Sequence, residues 1–454
     1  MSDLFQEFQP ISAKEWKQKI QADLKGADYN ETLVWQSLEG IHVKPFYHRE
    51  DFPDGFTSIP GQPKHWHIGQ RVFIDDTTIA NRLILEAVNR GAEAITLAAN
   101  AIFDIEKVFE NFPFSEVPIY FDWGFLDAHF LKTLIEFFTQ NKATVHYNLD
   151  IIHHLAKDGN WFFDLQKDHF ILDEIVNNHP SKNILSVDTS LYQNAGANTI
   201  QQLAYALAHA NEYLNHFHGK KNLHLTFKVS VGSNYFFEIA KIRALRWLYA
   251  SLASEYSLPE ECHIVAIPSK RNKTLYDYNV NMLRTTTECM SAVLGGANMV
   301  TNLPYDAIYH KSNSFGERIS RNQLLVLKAE SYFDLVSNPA EGSYYIESLT
   351  QELANKALHI FKDIEKGGGF LSQLKDSTLQ KKIKESAQKE QQWFEEGKLI
   401  LAGTNKYPNP EDRMKDQLEL YPFVKNNPRK TLIEPIIERR LSEKTEQERI
   451  NQEV

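Results

Sequence analysis

The sequence predicts an α/β chain built on a (β/α)8 barrel of the TIM type. An N-terminal arm is expected over residues 1–60, the barrel over 61–364, and a helical and extended C-terminal segment over 365–454. Three observations lead there. Short β-rich runs begin near Ile95, Pro118, Thr144, Ile184, Leu225, His263, Met299 and Tyr332, 23 to 41 residues apart. Most of the gaps hold a helical apolar pattern, and strands alternating with helices pair in parallel through right-handed crossovers. Eight such units over about 240 residues match a closed barrel, whose usual size is about 250. An open doubly wound sheet would need another strand order, which one sequence does not display.

In chain order, the arm opens with a helical pattern over Ser12–Lys25. Ser12 is the candidate N-cap, Glu15 completes a capping box, and Gly26 stops the helix. From Trp35 to Pro63 the chain is aromatic and punctuated by PDG and PGQP turns, so it should borrow stability from other surfaces. Barrel helices are expected over Ile200–Asn215, Phe236–Ser254, Val280–Leu294 and Ser320–Glu330. In the second of these, Phe236, Ala240, Ala244, Trp247 and Leu248 share one face. A long helix over Leu349–Ile364 stops at the glycines 367–369, and charged helical sequence continues from Leu371 to Glu396. The stretch 404–454 carries ten Lys/Arg and ten Asp/Glu, and reads as an extended segment followed by a solvated helix at 434–451.

Composition narrows the function classes. Of 454 residues, 42% are hydrophobic and 24% charged, as in a packed globular chain, and the net charge of −10 leaves no basic excess for a polynucleotide. Cys262 and Cys289 stand alone in apolar segments, which argues for buried thiols in a reducing compartment rather than a disulfide or zinc framework. The first residues, MSDLFQEFQPISAKEW, lack a basic stretch followed by an apolar core, and no run approaches 18 apolar residues. A cytoplasmic protein with no membrane span is expected.

Barrel chemistry sits at the carboxyl ends of the strands. Those ends offer Asn100, Asp122, Asn148, Asp188, Ser230, Ser269, Asn302 and Asp334, residue types that also serve as turn and cap residues. The histidines His209, His216, His218 and His224, and the pair His153–His154, lack metal-site spacing and read as polar helix ends. Lys241, Arg243 and Arg246 form a cationic helix face that reads as solvated, with a phosphorylated ligand as the functional alternative. Arg284 and Thr285–Thr287 open a helix ending at Gly295–Gly296, near a barrel mouth. GxSxG, Walker A and GxGxxG motifs in strand–helix context are absent.

Several stretches resemble the methylmalonyl-CoA mutase family. EGIHVKPFY at 39–47 is similar to that family's PEG–VKPLY segment. FFEIAKIRALRWLYA at 236–250, NVNMLRTTTECMSAVLGGANMVTNLPYDA at 279–307, FGERISRNQLLVLKAES at 315–331 and NPAEGSYYIESLTQELA at 338–354 resemble consecutive barrel blocks in order. AGTNKYP at 402–408 resembles its GVNKY. The chain departs from the family where the chemistry lies. In the family's WTIRQYAGF segment, here residues 66–74, Gly69 stands at the Arg position and Arg71 at the Tyr position. In YHMQEAGA, here residues 190–197, Leu191 stands at the His position. IPSKRN at 267–272 replaces the acyl-CoA loop, and the cobalt-ligating DxHxxG motif is missing.

Leucine donates no hydrogen bond to a thioester carbonyl, and arginine is not a phenol. The resemblance therefore implies a small (beta) subunit of a two-subunit mutase, with no catalytic residue, no cofactor-binding residue and no cobalamin-binding domain of its own. Adenosylcobalamin is expected in the large (alpha) subunit, which would be the partner, and the arm at 1–60 is the expected interface. Arg243 and Arg246 are the substrate-binding candidates. A stand-alone acyl-CoA-binding barrel and an accessory protein of a cobalamin enzyme are the alternatives.

Overall fold

The computed structural model describes residues 9–180, 182–425 and 428–453. Residues 1–8, on which the reading of the N-terminal stretch partly rests, lie outside the described residues. The arm begins with α1 (Ala13–Asp23), closed by the Ser12–Glu15 capping box as its sequence requires. Trp35–Gln36 then pairs antiparallel with His42–Val43.

Eight parallel strands form the closed barrel: β1 (His67–Ile74), β2 (Ala94–Ala99), β3 (Ile119–Trp123), β4 (Val145–Leu149), β5 (Asn183–Asp188), β6 (Leu225–Val231), β7 (His263–Pro268) and β8 (Met299–Thr301), with β8 returning to β1. The surrounding helices are α2 (Thr77–Asn89), α3 (Ala128–Gln140), α4 (Ile151–Asp158), α5 (Leu165–Asn178), α6 (Ser190–Asn194), α7 (Thr199–His216), α8 (Tyr235–Glu255), α9 (Val280–Gly295) and α10 (Ser314–Leu325). After a π-helical turn at Val326–Glu330 come α11 (Tyr344–Lys366), α12 (Phe370–Lys375), α13 (Thr378–Glu395) and α14 (Glu443–Gln452).

The (β/α)8 barrel follows the expectation, with one strand reassigned. The run at Tyr332 is a turn, not a strand. Tyr332 takes a left-handed φ of +60°, costly for an aromatic residue, and its side chain stands in solvent. The strand that the spacing overlooked is β1. Its inward residues are Gly69, Arg71 and Phe73, while Ile68, Val72 and Ile74 face the helices, so it lacks an unbroken apolar run.

Three further expectations change. The stripe on α8 is not one-sided: Phe236 is half exposed, and the rest of the helix is buried nearly all round between its neighbours. The cationic face is not solvated: Lys241, Arg243 and Arg246 are each at most 2% exposed. The helix placed at 434–451 begins only at Glu443, because 431–441 is an extended strap across the barrel. Leu432 and Ile433 donate to the Gly159 carbonyl, Arg439 to Asn194 and Leu441 to Arg271. Nor is the tail solvated, since Arg440 and Glu446 form a buried pair and the Glu446 carboxylate accepts the Leu275 N–H.

The arm does lean on other surfaces, as its composition implies, and those surfaces are its own chain's. Trp35 meets Phe237 edge-on, Tyr47 packs on Tyr345, and Phe52 and Phe56 lie against Tyr344. Among the described residues no helix is long and apolar enough to cross a membrane.

Candidate functional site

The strand alternation decides what fills the barrel. Along β6, Leu225, Phe227 and Val229 point to the helices, while Thr226, Lys228 and Ser230 point inward. The bore is consequently polar, and it is occupied by side chains. In its lower part Tyr120 stacks on His146 with ring centroids 4.5 Å apart, and on His263 at 5.6 Å. The Tyr120 hydroxyl lies 2.9 Å from His263 Nε2, and His146 Nδ1 lies 3.0 Å from Thr226 Oγ1. Met299 packs against the same group, and a Cβ on Gly69 would collide with Thr301 Oγ1 at 2.2 Å.

Burial pushes both imidazoles toward the neutral form, His146 to about 3 and His263 well below its ordinary value, with like-charge repulsion added by His224 and His67 at His146 and by His146, Arg246 and His67 at His263. The unfolded chain takes up protons below about pH 6.5 that the folded chain refuses, so stability must fall as pH drops from there toward 3. Melting followed from pH 7 to pH 4 should show this loss, at up to about 1.4 kcal/mol per pH unit for each imidazole. His146→Asn should flatten the slope. An unchanged slope would mean that the pair does not govern it.

Above the rings lies a ladder of ions at the carboxyl ends of the strands. Lys228 Nζ donates to Asp122 Oδ1 at 2.8 Å and lies 3.2 Å from Asp188 Oδ2, and Arg71 Nε donates to Asp122 at 3.2 Å. Burial opposes these charges, but mutual attraction wins. Asp122 and Asp188 are held below the usual carboxylate range, and Lys228 above the usual ammonium range. Beside the ladder, Asp150 caps α4 and gathers the Asp188 N–H, the Tyr213 hydroxyl and His209 Nε2. The other nitrogen of His209 meets the Tyr192 hydroxyl.

The strand-end candidates thus divide. Asp122 and Asp188 meet across the mouth, joined by Lys228. Asn148 sits in the same inward register, at a left-handed φ of +51° where β4 slips its pairing. Ser230, Ser269 and Asn302 are buried in internal hydrogen bonds, Asn100 is exposed, and Asp334 lies far from the mouth because its strand does not exist. His209 is no helix-end residue but is fully buried, whereas His216 does close α7, beside Asp173. His154 stacks on Phe162 away from the bore. Among the described residues no group of three His, Cys, Asp or Glu could hold a metal, and both cysteines are buried.

The α8 cations serve the interior. Lys241 donates to Gln193, Gln202 and the Ser230 carbonyl and pairs with Glu238. Arg243 pairs with Glu347 at 2.6 Å, and Arg246 donates to the Cys262 and Gly296 carbonyls. Arg284 likewise turns to Thr274 and the Ala402 carbonyl. Lys228, Asp150 and Tyr192 were not singled out from sequence. The β6 alternation was the signal for Lys228; Asp150 and Tyr192 gave none, because each looks like an ordinary cap or core residue.

Of the positions that depart from the mutase pattern, Arg71 stands in the ladder, Gly69 leaves its space to Thr301 and Met299, and Leu191 is sealed in the core on α6. Over the β5–β7 side of the mouth lies α13, where Arg271 donates to Glu390 and to the Arg439 carbonyl. A cavity of about 490 Å³ remains there between the arm tip, the α6–α7 turn and Trp393.

A family model described as methylmalonyl-CoA mutase matches residues 88–451. The methylmalonyl-CoA mutase small subunit of Porphyromonas gingivalis is 33% identical over 450 residues, covering 92% of this chain and 73% of that protein. The small subunit of Streptomyces virginiae is 27% identical, with 88% and 71% covered. The methylmalonyl-CoA mutase of Cereibacter sphaeroides is 26% identical, with 86% and 64% covered. The chain therefore spans about two thirds to three quarters of the length of these relatives.

Proposed function

This chain belongs to the methylmalonyl-CoA mutase family, and from that footing we propose that it is the small subunit of a heterodimeric mutase that interconverts methylmalonyl-CoA and succinyl-CoA. In this reading it is non-catalytic and cytoplasmic, and it stabilises the large subunit, which carries adenosylcobalamin. The cofactor supplies the radical chemistry when bound there.

The observation that carries the reading is the filled bore. A substrate tail threaded along the barrel axis would have to displace the Tyr120–His146–His263 stack and then the Lys228 ladder. The residues at this mouth do not fit a corrin either. The side chain of Ala387 on α13 lies directly against Gly196, and the strap is hydrogen-bonded to Asn194 and Arg271. Both Arg243 and Arg246, the substrate-binding candidates, are spent on internal partners, which supports a structural role for them.

The test is reconstitution with methylmalonyl-CoA and adenosylcobalamin. The isolated chain should give no succinyl-CoA, and adding it to the large subunit should raise the yield and thermal stability of active complex. Turnover by the isolated chain, or a large subunit indifferent to it, would overturn the reading.

A further inference from the structure

Trp35, Tyr47 and Phe52 of the arm pack on the chain's own α8 and α11, while Ile11 and Trp16 stay about half exposed beside them. One wall of the barrel offers a larger apolar face. Helices α9 and α10 pack side by side, with Gln323 donating to Thr285 and Thr286, and Arg321 ties α10 to the Arg90 carbonyl at the end of α2.

The outer stripe of α9 shows Leu283, 68% exposed, and Thr287, and carries no charge. Both ionic residues of that helix turn away from solvent: Glu288 is buried on Lys273, and Arg284 reaches Thr274 and the Ala402 carbonyl. The neighbouring helices expose Phe315 on α10, Val326 on the π turn that follows it, and Ile79 and Leu83 on α2. The segment after the π turn adds Tyr332, Leu335 and Val336, each more than 60% exposed. This run has the composition of a strand, and the barrel has no use for it. By contrast, α13 faces water with Lys381, Lys382, Lys384, Glu385 and Lys389.

The uncharged, apolar stripe of α9 has the composition of an interface core, and the exposed Arg82 on α2 and Arg318 on α10 are charges of the kind an interface keeps at its rim. At roughly 180 Å² for a large apolar side chain, the exposed share of these residues comes to about 800 Å², what one partner gives to a standard interface.

We infer that the α2–α9–α10 wall, with the Tyr332–Val336 knuckle, is the surface on which a heterologous partner chain docks, and that this partner is the mutase large subunit. The inference rests on the small-subunit reading. A second copy fits less well, since it would bring another chain of net charge −10.

The experiment uses the full chain and the purified large subunit. The unmodified pair should co-elute in size exclusion with light scattering. Leu283→Glu combined with Val326→Glu should weaken the pair about 100-fold with the melting temperature nearly unchanged. The photo-cross-linker p-benzoylphenylalanine placed at position 287 should capture the large subunit, and placed at position 381 on α13 it should not. If the charged variant fails to fold, the cross-link alone decides. Equal binding by the variant, or no cross-link from position 287, overturns the face and leaves the small-subunit reading standing. Separate elution of the unmodified chains overturns both. A cross-link from position 287 to a second copy, with the large subunit present, overturns the assigned partner.

Discussion

Lys228→Met should destabilise the chain by about 3–5 kcal/mol, the usual penalty for removing one member of a buried ion pair. The ammonium stands between Asp122 and Asp188, and its side chain is 19% exposed. Methionine would fill the space but leave two carboxylates facing each other across the mouth, with Arg71 reaching only Asp122. The sign of the pH response follows from the native pair. Both carboxylates are held below their ordinary range, so their contribution is complete above about pH 4 and is lost as pH falls through the depressed values. Lys228 is held above its range, so its contribution is complete below about pH 10 and is lost only as pH climbs through the raised value. Urea titration at pH 7 should show the loss in the single variant, and adding Asp122→Asn and Asp188→Asn should recover most of it. A single variant as stable as the parent would mean that water, not lysine, balances the two acids.

The second large effect is expected at Gly196→Ala. Gly196 sits at φ +102°, where an L side chain is strained, and a Cβ there would lie 2.4 Å from the Cβ of Ala387 and 2.9 Å from Arg271 Nη2. Neither neighbour can retreat easily, because Ala387 is fixed on α13 and Arg271 is held by Glu390 and the Arg439 carbonyl. Strain and overpacking together should cost about 3 kcal/mol. The barrel's own hydrogen bonds are untouched, so the loss should be local. The variant should lift α13 and the strap while β1–β8 stay protected in hydrogen exchange. Protection of 378–395 equal to that of the parent would show that the contact is more forgiving than its geometry implies.

What the sequence disclosed followed from periodicity. Runs such as ITLAAN and HIVAIP, buried on the helix side, announce strands by composition alone, and seven of the eight strands were placed. The strand β1 hid because its bore-facing residues are glycine and arginine, choices dictated by Thr301 and Asp122 on strands distant in sequence. The cations of α8 misled for the same reason. A lysine or arginine reads as a surface residue until the groups that sheathe it are known, and those come from 193–238 for Lys241, and from 260–300 and 338–347 for Arg246 and Arg243. The site was legible only as a set of strand ends. Which ends meet is fixed by barrel closure, and no local pattern encodes that.

The strap has a consequence for how the molecule is made. It pairs Gly159 with Ile433, and Leu275 with Glu446 on the helix after it, joining residues separated by most of a barrel's length. At about 5–20 residues per second, the ribosome delivers the later partner many seconds after the earlier one. Through that interval the carbonyls of Gly159, Asn194 and Arg271 stay open to water, and the barrel receives its strap only after its strands are made. Removing residues 429–453 would therefore yield a barrel with all eight strands but without its strap.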